Sequence, residues 1–213
     1  MKEKTHDPLE ALSDIRNMME RSSKFLALSG KAGIFAGIFT LVGAIAGYFM
    51  LDIQADELSN YQFLFLADGS FDAQHFNTLL LLLGAIFVAS VTTACLLAAQ
   101  NAKKRGMAVW DATTRRVVFH FAVPLVSGAL FSLALLHHHS IDLIAPTTLI
   151  FYGLSHVNMS KYTLDEIRTF GIIHILLGLI GAMHVNLGIQ LWVIGFGLIH
   201  ILYGAFIYFK YEK

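Results

Sequence analysis

Thr78-Leu-Leu-Leu-Leu-Leu-Gly-Ala-Ile-Phe-Val-Ala-Ser-Val-Thr-Thr-Ala-Cys-Leu-Leu-Ala-Ala99 is a run of 22 residues without a charge. A helix rises about 1.5 Å per residue, so about 20 such residues cross a hydrocarbon core of about 30 Å. Its apolar residues do not alternate. A backbone in lipid must satisfy its own hydrogen bonds, so the run reads as a helix rather than a strand. Five further stretches of 19 or 20 residues are comparably long and apolar, two of them with a charge near one end (Asp142, Arg168): Ala32–Leu51, Val117–Leu136, Ile141–Met159, Ile167–Val185 and Leu191–Phe209. The fourth in chain order, Ile141–Met159, carries Pro146, Thr147, Thr148, Tyr152, Ser155 and His156, and is expected inside the bundle, away from lipid.

Composition agrees. The chain has 213 residues, 56% hydrophobic and 14% charged, against about 45–50% and about 25% in soluble domains. The single cysteine, Cys95, cannot form an intrachain disulfide and reads as a small buried hydrophobe. The polar N-terminal segment has none of the marks of a cleavable signal peptide.

Direction follows from the basic residues, which remain on the cytoplasmic side of a membrane. With six crossings, one side holds the N-terminal segment, Gln100–Arg116, Ser160–Arg168 and the C-terminus. All 15 Lys and Arg fall there, while the opposite side carries Asp52, Asp56, Glu57, Asp68, Asp72 and Asp142. The expected fold is therefore an all-α, polytopic membrane bundle of six helices with both termini in the cytoplasm. The inner membrane is the expected location.

Two segments make up the chain: residues 1–24, cytoplasmic or interfacial, and residues 25–213, the membrane domain. Asp7-Pro8-Leu9-Glu10 combines an N-cap, a proline at the first helical position and a glutamate at the third. A helix is expected from Pro8, with Leu9, Leu12, Ile15 and Met19 along one side and Glu20 and Lys24 opposite. It lies along the inner leaflet or docks on a cytoplasmic protein partner. A second capping box, Thr163-Leu-Asp-Glu166, is expected to open the fifth span. The one long external segment, Asp52–Asn77, should place Tyr61, Phe63, Phe65 and Phe71 at the interface and turn at Asp68-Gly69.

Gly33, Gly37, Gly43 and Gly47 of the first span form two small-xxx-small pairs, which let a neighbouring backbone approach. Packing within the chain and self-association into a homo-oligomer are both consistent with them.

Of the ten histidines His6 lies in the N-terminal segment, and the other nine divide by depth. His75, His137, His138, His139 and His184 lie near the external face. His120, His156, His174 and His200 lie about 6–15 Å from the nearest cytoplasmic charge, counted along their helices. His174 and His200 are equidistant from a turn near Leu187, so a hairpin brings them level. Gly171-Ile-Ile-His174-Ile-Leu-Leu-Gly178 and Gly197-Leu-Ile-His200-Ile-Leu-Tyr-Gly204 share one pattern, and Gly153-Leu-Ser-His156-Val-Asn-Met-Ser160 nearly matches it. Small residues at i−3 and i+4 share a face with the histidine and are expected to clear space around the imidazole. One reading is neutral histidines hydrogen-bonding between helices. The other is metal ligation. There the pattern resembles membrane b-type cytochromes, whose histidines on neighbouring helices hold haem. That resemblance covers these three motifs and implies haem b on His156, His174 and His200. His120 departs from it, with Val117 and Pro124 at the corresponding positions. The external run His137-His138-His139 with His184 is a candidate for loose metal binding or acid sensing.

Absences narrow the function. No Asp or Glu falls within the middle of a span, which argues against di-iron carboxylate, HExxH and carboxylate-relay chemistry. No nucleophile motif surrounds Ser132, and neither a phosphate-binding lysine loop nor GxGxxG occurs. The basic loop Gln100–Arg116 reads as topogenic, with no nucleic-acid role. The expectation is a non-enzymatic sensor or partner subunit; the alternatives are a haem- or metal-binding electron-transfer protein and a small transporter of a neutral solute.

Overall fold

The computed structural model describes residues 29–54, 57, 61–66 and 68–213. The helix expected from Pro8, with Leu9, Leu12, Ile15, Met19, Glu20 and Lys24, lies outside the described residues. Among those described the regular structure is helical, apart from one antiparallel bridge between Phe65 and Phe71.

The helices are α1 (Gly30–Met50), α2 (Ala73–Lys104), α3 (Ala112–His137), α4 (Ile144–Met159) and α5 (Glu166–Met183). Three consecutive segments complete the chain: α6 (Gly188–Val193), a π-helical stretch (Ile194–Ile199) and α7 (His200–Tyr211). Five helical stretches are long and apolar enough to cross a membrane: α1, α2, α3, α5 and the continuous unit Val185–Tyr211. The expected fourth span splits into a 3-10 turn, Ile141–Leu143, and the 16-residue α4.

α2 and α3 outrun their apolar stretches because their caps lie in the polar sequence beyond them. Asp72 accepts from the backbone N–H groups of Gln74 and His75 and starts α2 five residues before Thr78. Lys103 and Lys104 occupy its last turn, where cations favour the helix dipole. Asp111 accepts from Thr114 N at 2.6 Å and from Thr114 Oγ1 at 2.8 Å and starts α3. These bonds favour the carboxylate and hold Asp111 below the usual range. The capping box expected at Thr163 does not close. Glu166 turns instead to Lys210 and to Tyr211 Oη at 2.7 Å.

α4 lies at the centre. It packs on α3, α5 and α6, and it buries Pro146, Thr147, Leu149, Gly153, Ser155, His156 and Met159. α1 packs on α7, the π stretch and α2. Among the helices, α2 has α1 as its main support, and Cys95 faces outward from it rather than into a protein core.

The glycines are spent on helix contacts. A Cβ on Gly153 would lie 2.5 Å from Gly171 O, and one on Gly171 would lie 2.6 Å from Gly153 O. Gly37 faces Gly197 O, and Gly33 faces the Cα of Gly204. Gly43 faces Ile86 and Gly47 faces Leu82, both on α2. Gly178 meets Pro146 O and Ile150, while Gly197 meets Leu41. The repeated glycines thus bring helix backbones together; they do not clear room around the imidazoles.

At the end of the bundle where α1 leads into α2, Tyr61 and Phe63 are buried with Leu51, Ile53 and Leu64 in a small cap over Ile141 and Ile189. Of the four aromatics expected at the interface, Tyr61 and Phe63 are thus covered by protein, whereas Phe65 and Phe71 stay 41% exposed. The difference comes from the turn. Leu66 and Ser70 pair their backbones around Gly69 (φ +80), and Asp68 Oδ1 accepts from Ser70 N and Oγ. That hairpin points Phe65 and Phe71 outward. Tyr61 donates to Asp142 O at 3.3 Å. Burial, with the nearby Asp142 charge, pushes the Tyr61 phenol up to about 12.

Candidate functional site

Three of the four histidines within the helices sit four residues after an aromatic ring: Tyr152 before His156, Phe170 before His174, Phe196 before His200; His120 follows Arg116. With the glycine that follows the ring, the three segments read Tyr-Gly-Leu-Ser-His, Phe-Gly-Ile-Ile-His and Phe-Gly-Leu-Ile-His. Residues i and i+4 share a helix face, so ring and imidazole point into the bundle together. The centroid separations are 4.3 Å for Tyr152–His156, 4.4 Å for Phe170–His174 and 5.6 Å for Phe196–His200.

α4, α5 and α7 bring these pairs to one point. His174 and His200 lie 5.1 Å apart, the Tyr152 ring lies 5.2 Å from His174 and 5.3 Å from His200, and Phe170 lies 5.0 Å from His156. His174 is fully buried, and His156 and His200 are 7% and 5% exposed.

The hydrogen bonds fix the protons. His156 Nδ1 lies 3.0 Å from Tyr152 O, and His174 Nδ1 lies 3.0 Å from Phe170 O, both carbonyls four residues back. In the last helix the π stretch shifts this register by one residue, and His200 Nδ1 lies 2.9 Å from Gly195 O. A carbonyl only accepts, so Nδ1 of His156 and of His200 carries the proton. Nε2 of His200 therefore holds a lone pair and accepts from Tyr152 Oη at 2.7 Å. His174 Nε2 also faces Gly195 O, at 3.2 Å. A neutral His174 has one N–H and serves one of its two carbonyls. His156 Nε2 has no hydrogen-bond partner among the described residues.

His120 stays outside this group. Its ring stacks on Tyr162 at 4.9 Å, and its carbonyl accepts from Asn158 Nδ2 at 2.8 Å. The external histidines do not gather. His137 and His138 touch edge to face at 5.3 Å, His139 has a left-handed backbone (φ +58), and His184 Nδ1 lies 3.3 Å from Ile180 O. His75 donates to Phe63 O at 2.7 Å and holds the cap. Among the described residues no three His, Cys, Asp or Glu side chains are placed to share a metal.

As arranged, His174 and His200 are not available to a haem, which leaves His156 alone of the three. Nε2 of His200 is occupied by Tyr152, Nε2 of His174 faces a carbonyl, and the rings of Tyr152 and Phe170 fill the space between the imidazoles. The ring at position i−4 and the Gly195 carbonyl escaped the sequence reading. The ring was visible as the residue before each glycine, whereas the carbonyl becomes available through a π-helical register that residue types do not announce.

Fold and site together define an all-helical protein compatible with a multi-pass membrane protein, with a hydrogen-bonded histidine–aromatic core. The chain matches no protein-family model, and comparison with curated proteins and with solved structures gives no match.

Proposed function

We propose that this is an inner-membrane protein of six crossings with both termini in the cytoplasm, acting without catalysis as a sensor or partner subunit. α4 supplies the sixth crossing. It is about 24 Å long, and the 3-10 turn before it lengthens the passage. A helix surrounded by protein is relieved of the length and hydropathy that lipid contact demands.

One observation carries the partner-subunit reading: the basic end of the bundle is tied into a platform where residues 1–28 join it. Glu212 accepts from Gly30 N and from Ser29 Oγ. Arg105, just after α2, donates to Tyr211 O at 3.3 Å, and Lys210 pairs with Glu166 of α5. The entry of α1, the end of α2, the start of α5 and the C-terminus thus form one unit. A partner held by residues 1–24 would bear on all of them. Affinity capture with the full chain should recover a defined cytoplasmic protein, and deletion of residues 1–24 should abolish the recovery. Recovery that survives the deletion overturns this reading.

A second reading rests on the free lone pair of His156 Nε2, which leaves one ligand position for a metal or haem b. Purified protein with a Soret band that disappears in His156→Ala would establish it. Colourless, metal-free, folded protein would remove it and leave the histidines as bonds between helices.

A further inference from the structure

Ring contacts near 5 Å are ordinary packing in an aromatic core. The bond between Tyr152 Oη and His200 Nε2 is more specific, because both its direction and its proton are fixed. His200 Nδ1–H is held by Gly195 O, so Nε2 is an acceptor aimed at the phenol 2.7 Å away. Oxidising a phenol by one electron makes its proton strongly acidic, and the step proceeds readily where a base already holds that proton's hydrogen bond.

The other oxidisable rings of this core lack such a base. Tyr203 Oη is buried without a hydrogen-bond partner. Trp192 Nε1 donates to Thr148 Oγ1 at 3.1 Å, and that hydroxyl itself donates to Ala145 O at 2.8 Å. Both rings nevertheless connect to Tyr152. Phe196 lies 4.8 Å from Tyr152 and 5.0 Å from Trp192, toward the outer end. Phe170 lies 6.3 Å from Tyr152 and 4.4 Å from Tyr203, toward the inner end.

We propose that Tyr152 and His200 form a one-electron redox centre inside the bundle, reached from either end through these rings. The phenol of Tyr152 loses one electron to an oxidant of the class of photo-oxidised or high-valent metal complexes. Its O–H bond breaks, and the proton crosses to His200 Nε2. The products are a neutral phenoxyl radical and an imidazolium that still donates through Nδ1 to Gly195 O. Re-reduction returns the electron to the oxygen and the proton along the same bond. This inference needs neither a cytoplasmic partner nor a sixth crossing, so its failure would leave those readings standing.

The test uses the full chain in lipid nanodiscs, with tris(bipyridine)ruthenium(III) generated by a light flash and an irreversible cobalt(III) acceptor. Frozen samples are read by electron paramagnetic resonance. The wild type should trap a neutral tyrosyl radical whose formation slows after exchange into deuterated buffer. Tyr152→Phe keeps the ring and should lose that signal, and His200→Leu should lose it while Tyr152 remains. Tyr203→Phe should keep it. Thermal unfolding of each variant checks that the bundle is intact. A signal of full intensity in folded Tyr152→Phe, or no tyrosyl radical in the wild type, overturns the proposal. So does full intensity in folded His200→Leu, because the base would then be unnecessary.

Discussion

Replacing Gly171 by alanine tests how the histidine layer is held together. The added Cβ would lie 2.6 Å from Gly153 O, 2.9 Å from Val157 N and 2.9 Å from Val157 Cγ2. Two of these atoms are backbone, so no rotamer change relieves them. Restoring ordinary contact requires α4 and α5 to separate by roughly 0.8 Å, and forced overpacking of this kind costs about 1–3 kcal/mol. Alanine also favours helix over glycine by about 0.5–1 kcal/mol. The net loss is therefore about 0–2.5 kcal/mol, the clash less the helix preference. Gly84→Ala is the internal control: nothing lies within 4 Å of its Cβ, so only the helix preference acts and the variant should be neutral or slightly more stable. The assay is thermal unfolding in one detergent, followed by the fluorescence of Trp192 and Trp110. A kcal/mol corresponds to roughly 2–4 °C in a soluble chain of this size. Gly171→Ala should melt lower than Gly84→Ala, and Gly84→Ala no lower than wild type. The double variant Gly153→Ala, Gly171→Ala should lose less than the sum of the single losses, because one separation relieves both clashes. Equal melting of Gly171→Ala and Gly84→Ala would refute the close approach of α4 and α5.

Two further expectations concern groups outside the spans. The Tyr61 phenol is raised to about 12 from an ordinary value near 10. The folded state therefore keeps a proton that the unfolded chain releases first. The stability this contributes is fully present below pH ~10 and is lost as pH rises toward 12. In an ultraviolet titration Tyr61 should ionise near pH 12, after the exposed tyrosines, and Tyr61→Phe should remove that step. Asp111 has the opposite sign. Its carboxyl is lowered by the bonds from Thr114, so its contribution is present above the ordinary carboxylate range and is lost as pH falls through the folded value. Asp111→Ala should cost about 0.5–2 kcal/mol at neutral pH, with a gap to wild type that narrows in acid.

Much of this architecture is legible in residue order because lipid imposes one demand on every crossing. The runs Thr78–Ala99 and Val117–Leu136 lie inside α2 and α3 as observed, and the turn at Asp68-Gly69 forms where its residues require it. His174 and His200 are level, as equal distances from the turn dictate. Part of what sequence concealed lies just beside the apolar runs, and part depends on partners distant in the chain. The ends of α2 and α3 are set by Asp72 and Asp111, which lie outside the apolar runs. Thr163-Leu-Asp-Glu166 has the letters of a capping box, yet Lys210 and Tyr211 compete successfully for its glutamate. A glycine beside a histidine shows that something approaches closely; whether it is a cofactor or a helix depends on the other side of the contact. For Gly171 the other side is Gly153. Cys95 reads as buried because its neighbours are apolar, whereas α2 turns it outward.

The sixth passage proposed for this chain requires α4 to cross the membrane. In a Cys95→Ser background, single cysteines at Ser140 and Lys161, one just before and one just after α4, can be labelled in intact cells with an impermeant maleimide. The six-span account predicts that Ser140→Cys reacts from outside, while Lys161→Cys reacts only after the membrane is opened. Labelling of both positions from the same side would contradict it and leave α4 as a helix that enters the bundle without crossing.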